Sequence, residues 1–255
     1  DGEWQFGPGQ QTESTDTTEE DTVSMKAIKA AGELILKGGK YSLDSADDTI
    51  HSNANITISD GEFTLASGDD GIHADSATTI SGGTIDITES YEGIEGLSID
   101  ITGGETYVSG PTNDGNSALD YNGTGIVTGG IFIAAGLSGM AENFGDSSTQ
   151  GVMMVTVNSQ AAGSAVSLSD SSGNELVSWT PEKEYTSVII SCPEITTGQE
   201  YTLTTGSDTT QITMDSIVYG SGSGMGGNPG NGGGPGNGGD MGQKPDDGNG
   251  TGKGP

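Results

Sequence analysis

Between Met25 and Gly136 one unit recurs five times, and its clearest copies are DDTIHSNANITISDGEFTLAS from Asp47 and DDGIHADSATTISGGTIDITE from Asp69. Ile28, Ile50, Ile72 and Ile94 follow one another at intervals of 22 residues, and Leu119 takes the same place after a slightly longer coil. A strict period of this length is the mark of stacked coils, each burying its apolar side against its neighbours. Every position is therefore restated one layer up, and any chemistry lies in columns of side chains.

Each unit carries two alternating segments around a Gly-Gly or Asp-Gly turn: LIL-KGG-KYSL, ITI-SDG-EFTL, TTI-SGG-TIDI, IDI-TGG-ETYV and IVT-GG-IFIA. Alternation with period two turns every second side chain inward. The expected inward columns are Leu36, Ile58, Ile80, Ile101 and Val127 before the turn and Tyr41, Phe63, Ile85, Thr106 and Phe132 after it. Leu43, Leu65, Ile87, Val108 and Ala134 complete the core. A two-residue Gly link also suits a β-hairpin. The return of whole segments favours parallel stacking instead, because a meander would not reproduce identical columns. The chain is thus expected to be all-β, a parallel β-helix of about five coils followed by a small antiparallel β-module.

The expected organisation is an acidic, Ser/Thr-rich leader over 1–24 with Trp4 and Phe6 as its only anchors, coils over 25–150, and the module over 151–219. Residues 220–255 form a Gly/Pro/Asn-rich tail that reads as a spacer, or as polyproline-II packing between chains. In the module, VMMVTVN, SAVSLSD, ELVSWT, SVIISC, YTLTT and QITMDSIVY read as strands, and DSSGNE from Asp170 as a hairpin turn. Such a module would close one end of the solenoid, whose last coil otherwise offers bare strand edges.

Composition narrows the partners. There are 37 acidic residues against 7 basic ones, for a net charge of −30, and every basic residue is Lys. Nucleic acid, whose phosphates need Lys/Arg clusters, is not an expected partner. The acidic surface serves solubility or divalent cations. The single Cys192 makes no internal disulfide and is expected to be buried. No run approaches the length of a membrane span. A start at Asp1 fits secretion with the signal removed, and equally excision from a longer chain.

One corner of the coils concentrates carboxylates: Asp47, Asp48, Asp69, Asp70, Asp75, Glu92, Glu95 and Asp120. Carboxylates stacked at the strand spacing of about 4.8 Å repel by about 1 kcal/mol even in water. Calcium, with oxygen ligands at about 2.3–2.6 Å, would bridge adjacent coils at that spacing. The other reading is turn chemistry, with the Asp side chains bonding nearby backbone N–H groups. His51 and His73, the only histidines, share a column with Lys29 and Glu95. They read as an incomplete transition-metal site or as a solvent-facing ladder. Paired carboxylates also raise polysaccharide lyase or hydrolase activity. A catalytic site is normally unique, whereas these pairs are copies of the repeat, and no Arg is present to act as a lyase base. A non-enzyme is expected.

The run AIKAAGELILKGGKYSLDSADDTIHSNANITISDGEFTLASGDDGIHADSATTISGGTIDITESYEGIEG resembles the extracellular carbohydrate-binding β-helix family of clostridia and related anaerobes. GPTNDGNSALDYNG and TPEKEYTSVIISCPEITTGQEYTL resemble its later segments. The resemblance implies a right-handed, pectate-lyase-like β-helix, secreted or on the cell surface, that binds calcium and plant cell-wall polysaccharide, cellulose-like or pectic, without cleaving it. It carries over to Asp47, Asp48, Asp69, Asp70, Asp75, Glu92 and Glu95. The chain departs from the family in having fewer Asp-Asp-Gly coils and few aromatics. Tyr91, Tyr107 and Tyr121 are the candidate carbohydrate-stacking platforms, or else partly buried strand residues. The competing expectation is a calcium-dependent subunit that polymerises end to end, or through its tail, into an extracellular filament.

Overall fold

A computed structural model describes residues 24–220, and the expectations for Trp4, Phe6 and residues 221–255 lie outside that range. Eight strands build the coils: β1 (Ile28–Ala30), β2 (Leu34–Ser45), β3 (Ile50–Ser52), β4 (Ile56–Ser67), β5 (Ile72–Glu89), β6 (Ile94–Ser109), β7 (Leu119–Val127) and β8 (Ile131–Gly136). All their pairings with one another are parallel, so the repeat is a solenoid and its Gly-Gly links are not hairpins. Ile28, Ile50, Ile72, Ile94 and Leu119 are in register as one column. The other three inward columns stack as expected, from Leu36 to Val127, Tyr41 to Phe132 and Leu43 to Ala134.

Burial deepens away from the first coil. Ile58, Ile80, Ile85, Ile87, Ile94 and Ile101 are fully buried, while Leu34, Tyr41 and Leu43 of the first coil are only partly covered. Tyr41 and Phe63 stack face to face with centroids 4.7 Å apart, the strand spacing itself. The turns stack as tightly. Gly83, Gly104 and Gly130 hold φ of 87°, 80° and 84°, and a Cβ on any of them would run into the backbone of the coil below. One position of the inward columns is polar. Thr106 is fully buried and its hydroxyl has no partner.

The C-terminal strands are β9 (Val152–Gln160), β10 (Val166–Asp170), β11 (Glu175–Trp179), β12 (Tyr185–Ser191), β13 (Glu200–Thr205), β14 (Asp208–Thr213) and β15 (Val218–Tyr219). Four of them form an antiparallel sheet in the order β11-β10-β13-β14, with the hairpin at Asp170. The others behave differently from a free-standing module. β12 adds antiparallel to β8, β9 adds to β12, and β15 adds to β9, so they extend the solenoid's own sheet. Their continuous apolar runs follow from burial on both faces. Ile189 and Val152 pack on the solenoid core, whereas Val188, Ile190, Met153 and Val155 pack under the four-stranded sheet. Cys192 is buried there too.

The end of the core is plugged by Phe144, which meets Phe132 edge-on at 5.0 Å. Its irregular segment bonds β7, Gly145 and Thr149 donating to the carbonyls of Gly125 and Val127. Both strands of the last coil thus have their outer edges covered.

Two substitutions test this packing by denaturant unfolding. Ile80→Ala should cost about 2–5 kcal/mol through a cavity between coils. Thr106→Val, which removes an unpaired buried hydroxyl at nearly constant shape, should stabilise the fold by about 1–3 kcal/mol. A loss of stability in the second variant would show that the hydroxyl is satisfied.

Candidate functional site

The acidic corner lies just before and just after the buried Ile50–Ile72–Ile94–Leu119 column. There the chain turns sharply enough that simple in-and-out alternation fails. Asp48 and Asp70, two residues before the column, point inward and are buried, while Asp69 is exposed and Asp47 half-buried. Residues one after the column come back beside them, which produces pairs at i and i+3. Asp48 meets His51 at 2.8 Å and Asp70 meets His73 at 3.0 Å.

Read along the axis, the same two columns give Lys26 with Lys29, Asp48 with His51, Asp70 with His73, Glu92 with Glu95, and Ser117 with Asp120. Charge therefore changes from positive in the first coil to negative in the fourth. Lys26 reaches up to Asp47 at 3.0 Å and also contacts Asp48. Its ammonium offsets the like-charge repulsion that the spacing imposes, a partnership that the column pattern contained but that a search for metal ligands passes over. Asp47 is held below the usual carboxylate range, chiefly by the Lys26 bond. The Asp-turn reading also has its contacts, since Asp47 accepts from the Asp48 N–H at 3.0 Å.

At the other end no lysine intervenes among the described residues. Burial pushes Glu92 up to about 8, assisted by Asp120, Asp70, Glu95 and Asp69. Glu95 is pushed up to about 7 by burial and by a hydrogen bond with Asp70, and the charge on His73 pulls the other way without winning. His73 is raised to about 9 by its bond to Asp70, with Glu95 and Asp48 adding to this against burial. Asp69, Asp120 and Glu142 are raised too, in each case mainly by burial. Glu142 comes from the irregular segment after β8, accepts from the Tyr121 N–H at 3.3 Å, and carries no repeat signal that would have revealed it.

The histidines do not form a solvent-facing ladder. His51 is only 6% exposed and meets His73 edge-on with centroids 4.8 Å apart. Among the described residues three groups have donor atoms close enough to share one ion: Asp47, Asp48 and Asp69; Asp48, His51 and His73; and Asp70, His73 and Glu95. Only the first is all oxygen, the donor set calcium prefers. Glu92, Asp75 and Asp120 fall outside these groups, although Asp75 faces His73 Nε2 at 3.5 Å. The tyrosines do not make one platform. Tyr91 is exposed in the column of Asp47 and Asp69. Tyr107 stacks on Trp179 at 5.9 Å, and Tyr121 donates its hydroxyl to the Asn143 carbonyl.

These shifts carry a pH prediction. Unfolded Glu gives up its proton near 4.5 and folded Glu92 near 8, while unfolded His does so near 6.5 and folded His73 near 9. Between those limits the folded chain binds more protons, so rising pH destabilises it. In metal-free buffer the melting temperature should fall steadily from mildly acidic pH towards pH 9. Glu92→Gln should flatten that slope and raise the melting temperature on the alkaline side.

Comparison with the curated proteins and with the solved structures finds no match. Among family models, one described as "Carbohydrate-binding domain-containing protein" matches residues 1–71, up to the glycine that precedes the third copy of the isoleucine column. The match covers 71 of the 255 residues, so it is a similarity of the N-terminal part and first coils to that family, in agreement with the resemblance carried by the sequence motifs.

Proposed function

We propose that the chain is a secreted, non-catalytic module that binds polysaccharide of the plant cell-wall type along its acidic corner. The observation that carries this reading is the family match over the coils that contain Asp47, Asp48 and Asp69. The exposed surface of the fourth coil supports it. Tyr91 and Leu97 are 50% and 56% exposed and flank the Glu92 and Glu95 pair, offering apolar surface beside carboxylates. Repetition of the acidic pairs from coil to coil favours an extended binding face over a single catalytic centre.

Calcium belongs to this reading at one place. Asp47, Asp48 and Asp69 supply three carboxylates within reach of one ion, and Asp69 leads out to the surface where an acidic sugar would complete the coordination. Lys26 competes for the same oxygens, so the ion would have to turn its ammonium aside. In the filament alternative, end-to-end growth would use the first coil, because β12 and the Phe144 segment cover the edges of the last one, and packing through the tail involves residues outside the described range.

Retention on insoluble cellulose and on pectate, with and without chelator, tests the proposal. The expected result is retention on at least one of them, lost in chelator, weakened by Tyr91→Ala and made calcium-independent or abolished by Asp69→Asn. Absence of retention on every glycan tried would overturn the binding reading, and release of unsaturated or reducing sugar would overturn the non-catalytic one. Sedimentation with added calcium distinguishes the filament, which alone predicts growth in size.

A further inference from the structure

The donor atoms around His73 do not suit calcium, and they are more than a hydrogen bond requires. Its Nδ1 lies 3.0 Å from Asp70 Oδ2 and 2.9 Å from Glu95 Oε2, with Asp48 Oδ2 further off at 3.7 Å. A ring nitrogen carries at most one proton and can serve only one of two close carboxylates well. We propose that Asp70, His73 and Glu95 bind a divalent first-row transition-metal ion of the zinc or nickel class, at a site separate from the all-oxygen group proposed for calcium.

Three observations support it besides the cluster itself. The first is donor chemistry. One imidazole with two carboxylates is a borderline set that zinc, nickel, cobalt and manganese accept, whereas calcium takes six to eight oxygens. The second is size. Nδ1 lies 2.9–3.0 Å from one oxygen of each carboxylate, so the three donors converge closely enough to face a single small ion. The third is orientation. His73 Nε2 faces Asp75 Oδ1 at 3.5 Å, and Asp75 is itself held by the Asn53 amide at 3.1 Å. Once a metal displaces the proton shared between Nδ1 and Asp70, a carboxylate on the far nitrogen holds the remaining proton there, as outer partners of ligating histidines commonly do.

Access and charge agree. The side chain of Asp70 is 7% exposed, those of His73 and Glu95 24% and 30%, so the group is anchored at its base and open on the Glu95 side. Lys26 contacts Asp47 and Asp48, and among the described residues no lysine is paired with Asp70 or Glu95. A divalent ion bound here would take the place of the proton that His73 Nδ1 shares with Asp70.

Untagged full-length chain, stripped with chelator, should be titrated calorimetrically with zinc chloride and with nickel chloride near neutral pH. One saturable site is expected, weakened at least about tenfold by His73→Gln and by Glu95→Gln. Asp69→Asn should leave it unchanged, and a large excess of calcium should not displace the ion. Because the chain has only 2 histidines, broadening of imidazole resonances by nickel reads the same site without any substitution. No saturable binding, retention of full affinity in His73→Gln, or equal displacement by calcium would overturn the proposal. None of these outcomes depends on glycan binding, so this site and the polysaccharide reading can fail separately.

Discussion

Every side chain of a β-solenoid is repeated one strand spacing above itself, and most of this molecule follows from what that spacing permits. For apolar residues it is favourable, because Ile above Ile and Phe63 above Tyr41 bury surface with little change of shape. For charges of one sign it is not, since the repulsion recurs at each layer. A repeat that places an acid beside its apolar column must bring in a counter-charge, hold protons or bind ions.

All three answers have their place along this corner. Lys26 supplies a counter-charge to Asp47 and Asp48 at the first junction, and His51 and His73 accompany the two buried aspartates. In the fourth coil the pair becomes Glu92 and Glu95, and proton retention takes over. The repeat is thus uniform in backbone and graded in charge. A polymer lying along the axis would meet a different electrostatic surface at each coil, which gives the proposed binding face a direction.

The four apolar columns could be read from the sequence because they depend on local alternation and a constant period. The corner was legible only in part. Which acids share a level follows from counting, but Asp48 and His51 being buried does not, since the chain turns there and alternation no longer assigns inside and outside. Lys26 stood in the right column, and only its reach of one layer identified it as the partner of Asp48. Phe144 and Glu142 come from a segment without periodicity, and their roles depend on contacts with coils earlier in the chain. The return of β12 to β8 was hidden for the same reason: an apolar run such as SVIISC announces a strand and not its neighbour.

That return also orders events in time. Each coil can settle on the one made just before it, so the solenoid can lengthen as the chain emerges from its N-terminal side. β8 differs, because the partner of its outer edge is separated from it by β9, β10 and β11. Until β12 has been synthesised, β8 is paired only with β6 and keeps its outer edge open, and that interval is when a nascent chain is most open to pairing with another. Closure of the end is therefore a late folding step that protects work already completed, and a chain truncated before Tyr185 would remain permanently at the vulnerable stage.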